Sequence, residues 1–144
     1  MRETFPLAVH LFLERGNQVL LLRRFNTGYE DGNYSVAAGH VERGEDVYAA
    51  MLREAAEELG LTLRREDLHA VQVMHRLTER GARVDYFFTC ANWDGEPENR
   101  EPGKCDELRW ADRGALPENT VGYVRAALGF YHENAPFTLY GWPP

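Results

Sequence analysis

The stretch GHVERGEDVYAAMLREAAEELGL, Gly39 to Leu61, constrains the fold more than any other. Asp46 is a good helix N-cap and Gly60 a C-terminal stop, so a helix is predicted from Val47 to Leu59. Val47, Met51, Ala55 and Leu59 recur every four residues and supply its buried stripe. A helix with one apolar stripe must lie on another layer of structure. Beside that stripe, Glu54, Glu57 and Glu58 stand at i, i+3 and i+4 and share one face. Like charges so spaced cost a few tenths of a kcal/mol per pair, and the negative end of the helix dipole adds to the penalty. A cluster this unfavourable needs a compensating partner.

The rest of the chain reads as strands around that unit. Leu7 to Leu13 and Val19 to Arg24 are apolar, strand-like runs joined by a hairpin turn over 14–18. NTGYEDGNY, residues 26–34, reads as an ordered surface loop, the usual place for substrate contacts. Tyr34 to Ala37 forms a short strand that delivers the chain to Gly39. Leu68 to Leu77 and Val84 to Ala91 are two longer strands, residues 92–103 a turn-rich loop, and Leu108 to Trp110 a short strand. A second helix, roughly Thr120 to His132, follows the LPEN start signal, and the aromatic tail APFTLYGWPP is left unassigned. With no repeat, low-complexity block or linker, residues 1–144 are expected to form one α/β domain.

Composition narrows the function classes. The formal net charge of −7 argues against a nucleic-acid polymer as partner, since such binding needs a cationic face, yet it leaves room for a nucleotide carried on a metal ion. No apolar run approaches the ~20 residues of a membrane helix. FPLAVHLFL lacks the charged start and cleavage site of a signal peptide and reads as an N-terminal core strand. Cys90 and Cys105 form no metal-binding pattern and are expected to be buried, reduced thiols of a cytoplasmic protein.

Arg53 offsets one charge of the cluster, standing at i to Glu57 at i+4, while Glu45 could hold the other side of its guanidinium. One arginine cannot neutralise four glutamates, whereas a hard divalent cation with oxygen ligands can. The competing account is a solvated acidic helix face, which is commoner for any Glu-Glu pair taken alone. The placement of the glycines and the arginine around the acids weighs against it.

These residues resemble the Nudix box of the Nudix hydrolases: Gly, five residues, Glu, seven residues, Arg-Glu, an aliphatic, any residue, Glu-Glu, any residue, Gly, an aliphatic. Gly39, Glu45, Arg53, Glu54, Glu57, Glu58, Gly60 and Leu61 fall in register, with Ala55 a small departure at the first aliphatic position. The resemblance implies the Nudix α/β/α sandwich around a mixed β-sheet, carrying the catalytic loop-helix of the box. It also implies hydrolysis of a nucleoside diphosphate linked to another moiety, with Mg²⁺ or Mn²⁺ neutralising the phosphates and activating water. By that resemblance Glu57 and Glu58 are metal ligands, Glu54 is a ligand or the general base, and the main-chain carbonyl of Ala38 is a further ligand. Glu45 and Arg53 are scaffolding, and Glu101 is an extra metal-binding carboxylate.

Selectivity is expected outside the box. Arg24 is a candidate for a phosphate, Tyr29 and Asp31 for the base or ribose, and Trp110 and Asp112 for stacking and hydrogen bonding a purine. Asn119 is a candidate for a base edge, with a helix-cap role as its simpler account. Subfamily patterns of ADP-ribose and coenzyme A hydrolases are not apparent. The leading substrate is therefore a nucleoside triphosphate, modified or not, cut to monophosphate and pyrophosphate. ADP-ribose or another sugar nucleotide is the alternative. A non-catalytic nucleotide sensor is a second, though it has no need of a full set of acids. A prenyl-diphosphate isomerase is a third, disfavoured by the scatter of His10, His40, His69, His75 and His132. A homodimer is among the open assemblies.

Overall fold

A computed structural model describes residues 2–144. Eight strands and two helices follow one another as β1 (Leu7–Arg15), β2 (Gln18–Arg24), β3 (Tyr34–Ser35), β4 (Ala37–His40), α1 (Val47–Leu59), β5 (His69–Thr78), β6 (Gly81–Cys90), β7 (Cys105–Asp112), α2 (Gly122–His132) and β8 (Phe137–Tyr140). The sheet is mixed. β1 runs parallel to β6, and β5 parallel to β8, while β5–β6, β1–β4, β1–β2, β2–β3 and β2–β7 are antiparallel.

The alternation of side chains along β1 divides the core into two layers. Val9, Leu11 and Leu13 face Met51, Ala55 and Leu59 of α1, together with Phe88 of β6. Phe12 on the opposite side joins Phe87 and Met74 beneath Val124, Ala127 and Leu128 of α2. The result is a sheet between two helices, the α/β/α sandwich that the resemblance implied. Within α1 the buried positions are Ala50, Met51, Ala55 and Leu59; Val47 is only half-buried at the first turn.

Four local differences from the sequence reading stand out. The short strand expected over Tyr34 to Ala37 is instead the end of one strand and the start of another, split at Val36, because β3 pairs with β2 and β4 pairs with β1. β7 is longer than its apolar centre, extended by register with the whole of β2. The aromatic tail contains β8, which lies alongside β5 and is pinned where Trp142 Nε1 donates to His75 O at 2.9 Å. Asn119 does not cap α2: the N-cap is Val121, without a side-chain bond, and Asn119 Nδ2 donates to Gly32 O instead.

Cys90 and Cys105 are both buried and unpaired. Among the described residues, no helix is long and apolar enough to cross a membrane.

Phe88 is fully buried, with Tyr48 of α1 edge-on at 5.0 Å, whereas Phe137 on β8 is 60% exposed. Phe88→Ala is therefore expected to cost about 3–5 kcal/mol, and Phe137→Ala less than about 1 kcal/mol. Urea unfolding midpoints of the two variants check this difference.

Candidate active site

The loop after β4 and the helix α1 are held together by one side chain. Arg53 Nε donates to Glu45 Oε2 at 2.7 Å and Nη2 to Glu45 Oε1 at 3.0 Å, a two-pronged grip from helix to loop. Nη2 also donates to His40 O at 3.0 Å, so the end of β4 is tied to the same point. Nη1 donates to Glu54 Oε1 at 2.7 Å and to Glu57 Oε2 at 3.3 Å. Glu45 is further fixed by the Glu42 N–H, and its carboxyl is held below the usual range, first by Arg53 and then by that N–H. The helix is set by its ends: Asp46 Oδ1 accepts from Ala49 N–H, and Gly60 takes the left-handed conformation (φ 69°) that closes the last turn.

The acids crowd the C-terminal half of α1. Glu58 Oε2 accepts the Ala38 N–H at 2.9 Å, which fastens the helix to β4. Burial pushes the Glu58 carboxyl up to about 9; the neighbouring Glu54 charge adds to this, the Ala38 N–H opposes it, and Glu101 adds again. Burial also raises Glu54, with Arg53 pulling it back and Glu57 and Glu101 pushing it further up. Glu57 is the exposed member, its side chain 56% accessible. Glu101 comes from the 92–104 loop, which packs across the end of α1. Arg100 N–H donates to Glu58 O and Glu98 N–H to Leu59 O, satisfying the last carbonyls of the helix.

Gly39 makes this closeness possible. It faces α1, and a Cβ there would fall on the Glu54 carboxylate. Carboxylates raised by burial and by one another are relieved by a cation, and all the donors are hard oxygens. That chemistry fits a divalent metal. The side chains do not stand as a finished cage: among the described residues, no three of His, Cys, Asp or Glu are gathered at metal-holding distances. Glu54 is turned onto Arg53 and Glu58 onto β4.

A model of the NUDIX domain matches residues 4–128. The chain belongs to the Nudix family. It is 30% identical over 126 residues to an ADP-ribose pyrophosphatase of Methanocaldococcus jannaschii, covering 88% of this chain and 68% of that one. It is 26% identical over 100 residues to the 8-oxo-dGTP diphosphatase of Escherichia coli, covering 68% of this chain and 76% of that one. Among solved structures, the MutT NUDIX hydrolase of Burkholderia pseudomallei superposes with a TM-score of 0.80 at 26% identity, over 88% of this chain and 98% of that one. The chain is a Nudix pyrophosphohydrolase, and Nudix hydrolases generally use divalent metals.

The substrate candidates of this Nudix chain fall into two places. Arg24, Tyr29, Asp31 and Asn119 converge on the 26–33 loop. Arg24 Nε donates to Tyr29 O at 2.6 Å, and its guanidinium lies 5.1 Å from the centre of the Tyr29 ring. Asp31 accepts the N–H groups of Thr27 and Gly28 and the Thr27 hydroxyl, which together hold its carboxyl below the usual range. Asn119 closes the loop at Gly32, and the Tyr29 ring stays half exposed.

Trp110 and Asp112 lie elsewhere, toward the hairpin end of β2, where Trp110 is opposite Leu20 and Asp112 opposite Gln18. Gly39, by contrast, is opposite Val9 near the start of β1. Trp110 is stacked on Trp93 at 5.9 Å with Arg15 over its ring, and Asp112 accepts from Gly114 N–H. Two surface depressions near Arg113, Gly114 and His132 touch none of the box acids.

One group on the α2 side of the sheet escaped the sequence reading. Asp85 is fully buried and accepts from Arg76 Nε at 2.7 Å and Arg83 Nε at 3.3 Å. His10 stacks on Phe87, and Tyr123 Oη donates to its Nε2 at 3.1 Å; burial lowers His10 to about 4 despite the nearby Asp85 charge. The available signal was an aspartate inside the apolar strand run VDYFF, at i+2 from Arg83 and so on its face.

Two outcomes follow for the box. Because Glu58 is raised in the folded state, its proton is lost first from the unfolded chain. The Glu58 contribution to the stability of metal-free protein is then full below about pH 4.5 and declines toward pH 9, by at most about 1.4 kcal/mol per pH unit. Thermal melts in EDTA from pH 5 to 9 should show this decline, and Glu58→Gln should flatten it and melt higher than wild type at pH 8. Gly39→Ala should displace Glu54 and cut turnover at least tenfold while circular dichroism stays native.

Proposed function

We propose that this Nudix hydrolase cuts nucleoside triphosphates, modified or not, to monophosphate and pyrophosphate, using Mg²⁺ or Mn²⁺. The observation that carries the reading is the carboxylate cluster of Glu54, Glu57, Glu58 and Glu101, with Arg53 as its only direct cation within the helix. A bound divalent cation supplies neutralisation of the diphosphate and a water of lowered pKa. The chain's own groups have separable parts. Arg53 fixes Glu54 through Oε1 and anchors the loop through Glu45. Glu58 is aligned by the Ala38 N–H, and the Ala38 carbonyl is assigned as a further metal ligand. Glu57 stands exposed where substrate arrives. Glu54, held by Arg53, is the assigned acceptor for the proton of attacking water. The loop of Arg24, Tyr29 and Asp31, closed by Asn119, covers the nucleoside.

Support for the triphosphate class comes from the resemblance to the 8-oxo-dGTP diphosphatase. The archaeal ADP-ribose pyrophosphatase, matched over more of the chain, favours ADP-ribose as the second reading. Neither reading is built on Trp110 or Asp112, which stand toward the hairpin end of β2. We further propose a single domain across 1–144.

A panel of nucleoside triphosphates, ADP-ribose and sugar nucleotides with Mg²⁺ tests the choice. Pyrophosphate release from triphosphates is the expected result; turnover confined to ADP-ribose, with AMP as product, sinks it. Glu57→Gln and Glu58→Gln should each lower kcat by at least about a hundredfold with native circular dichroism.

A further inference from the structure

The face of β4 opposite the box holds the second concentration of charge. His40, Ala8 and Asp85 are in register across β4, β1 and β6, so their side chains share the α2 side of the sheet, while Gly39 and the acids share the other. Asp85 meets two guanidinium groups. Arg76, nearly buried and lying 3.6 Å over the Tyr123 ring, is sufficient to pair with it. Arg83 is therefore in excess: two positive charges stand against one carboxylate, and His10 and Tyr123 are both held neutral by burial.

Arg83 is also the member that reaches solvent. It spends Nε on Asp85, and Nη2 donates to His40 Nε2 at 3.3 Å. That bond places the His40 ring proton on Nδ1, in an exposed side chain. Its remaining Nη1 has no protein partner among the described residues. Tyr29 of the 26–33 loop lies near enough to act electrostatically on Arg76 and Tyr123. The same His40 receives Arg53 at its carbonyl, one residue from Gly39. A guanidinium oriented by a buried carboxylate, with its Nη1 uncommitted and its charge in surplus, suits a phosphate oxygen.

We propose that Arg83, oriented by Asp85 and joined by His40, is an anion-binding subsite that takes a phosphate group of the substrate across β4 from the box carboxylates. The assignment rests on the reading that the substrate carries a diphosphate. It implies that acids and arginines hold the phosphate chain from opposite sides of one short strand.

The test is calorimetric titration of inorganic phosphate into the protein in EDTA, where the acids have no cation to recruit the probe. Wild type should bind. Arg83→Gln should weaken binding at least tenfold, Arg83→Lys should recover part of it, and Arg80→Gln should leave it unchanged. Arg80 is exposed in the turn of the same hairpin, and its loss changes net charge equally. With Mg²⁺ and whichever nucleotide is turned over, Arg83→Gln should raise KM about tenfold with kcat within twofold. No phosphate binding by metal-free wild type, or equal binding by wild type and Arg83→Gln, overturns the proposal. Should Arg83→Gln not fold, His40→Ala reads the same surface: weakened phosphate binding upholds the subsite and unchanged binding rejects it. Loss of phosphate binding in Arg83→Gln, in a protein that cuts no triphosphate, leaves the subsite standing and removes only the triphosphate reading.

Discussion

The Arg53 guanidinium is the interaction on which the site depends. Its donors are directed at Glu45, Glu54, Glu57 and the carbonyl of His40, so one planar cation joins the loop, the helix and the end of β4. A lysine at this position would supply the charge but not the fork, and could not satisfy a carboxylate with two parallel bonds while reaching a third acceptor. The geometry of the acids follows from that fork. Glu54 is aimed by it, Glu45 is spent on it, and Glu57 is left free enough to meet solvent.

The sheet supplies the second organising element. Alternation along β1 sends Val9 and Leu11 to one helix and Phe12 to the other, and the same alternation in β4 sends Gly39 to the acids and His40 to Arg83. Two chemically opposite surfaces are thereby set back to back across a strand of four residues. A chain carrying net negative charge keeps a local surplus of positive charge here because the buried Asp85 is shared between two arginines, one of which reaches solvent.

Much of this was legible in the residues, and the limits have physical causes. The caps of α1 and the register of its acids are local, so Asp46, Gly60 and the 53–58 cluster could be read directly. The pairing of Glu45 with Arg53 was legible because both sit within one loop-helix unit. β8 was not, since Phe137 and Leu139 point outward and its partner β5 lies some sixty residues earlier. The break at Val36 depends on which neighbour each half pairs with. Asn119 looked like a cap because its chemistry suits one, yet its amide closes a distant loop. The Asp85 cluster required four elements, β1, β5, β6 and α2, to be assembled before its meaning appeared.

β4 also has a side without a strand partner. An open sheet edge is a template on which another chain can add a strand. Here the Ala38 N–H is already taken by the Glu58 carboxyl, and Gly39 is covered by Glu54. An incoming strand would have to displace the Glu58 carboxyl from the Ala38 N–H and the Arg53 guanidinium from the His40 carbonyl. The acids that pack against β4 thus also occupy its open edge, and thinning them out would uncover it.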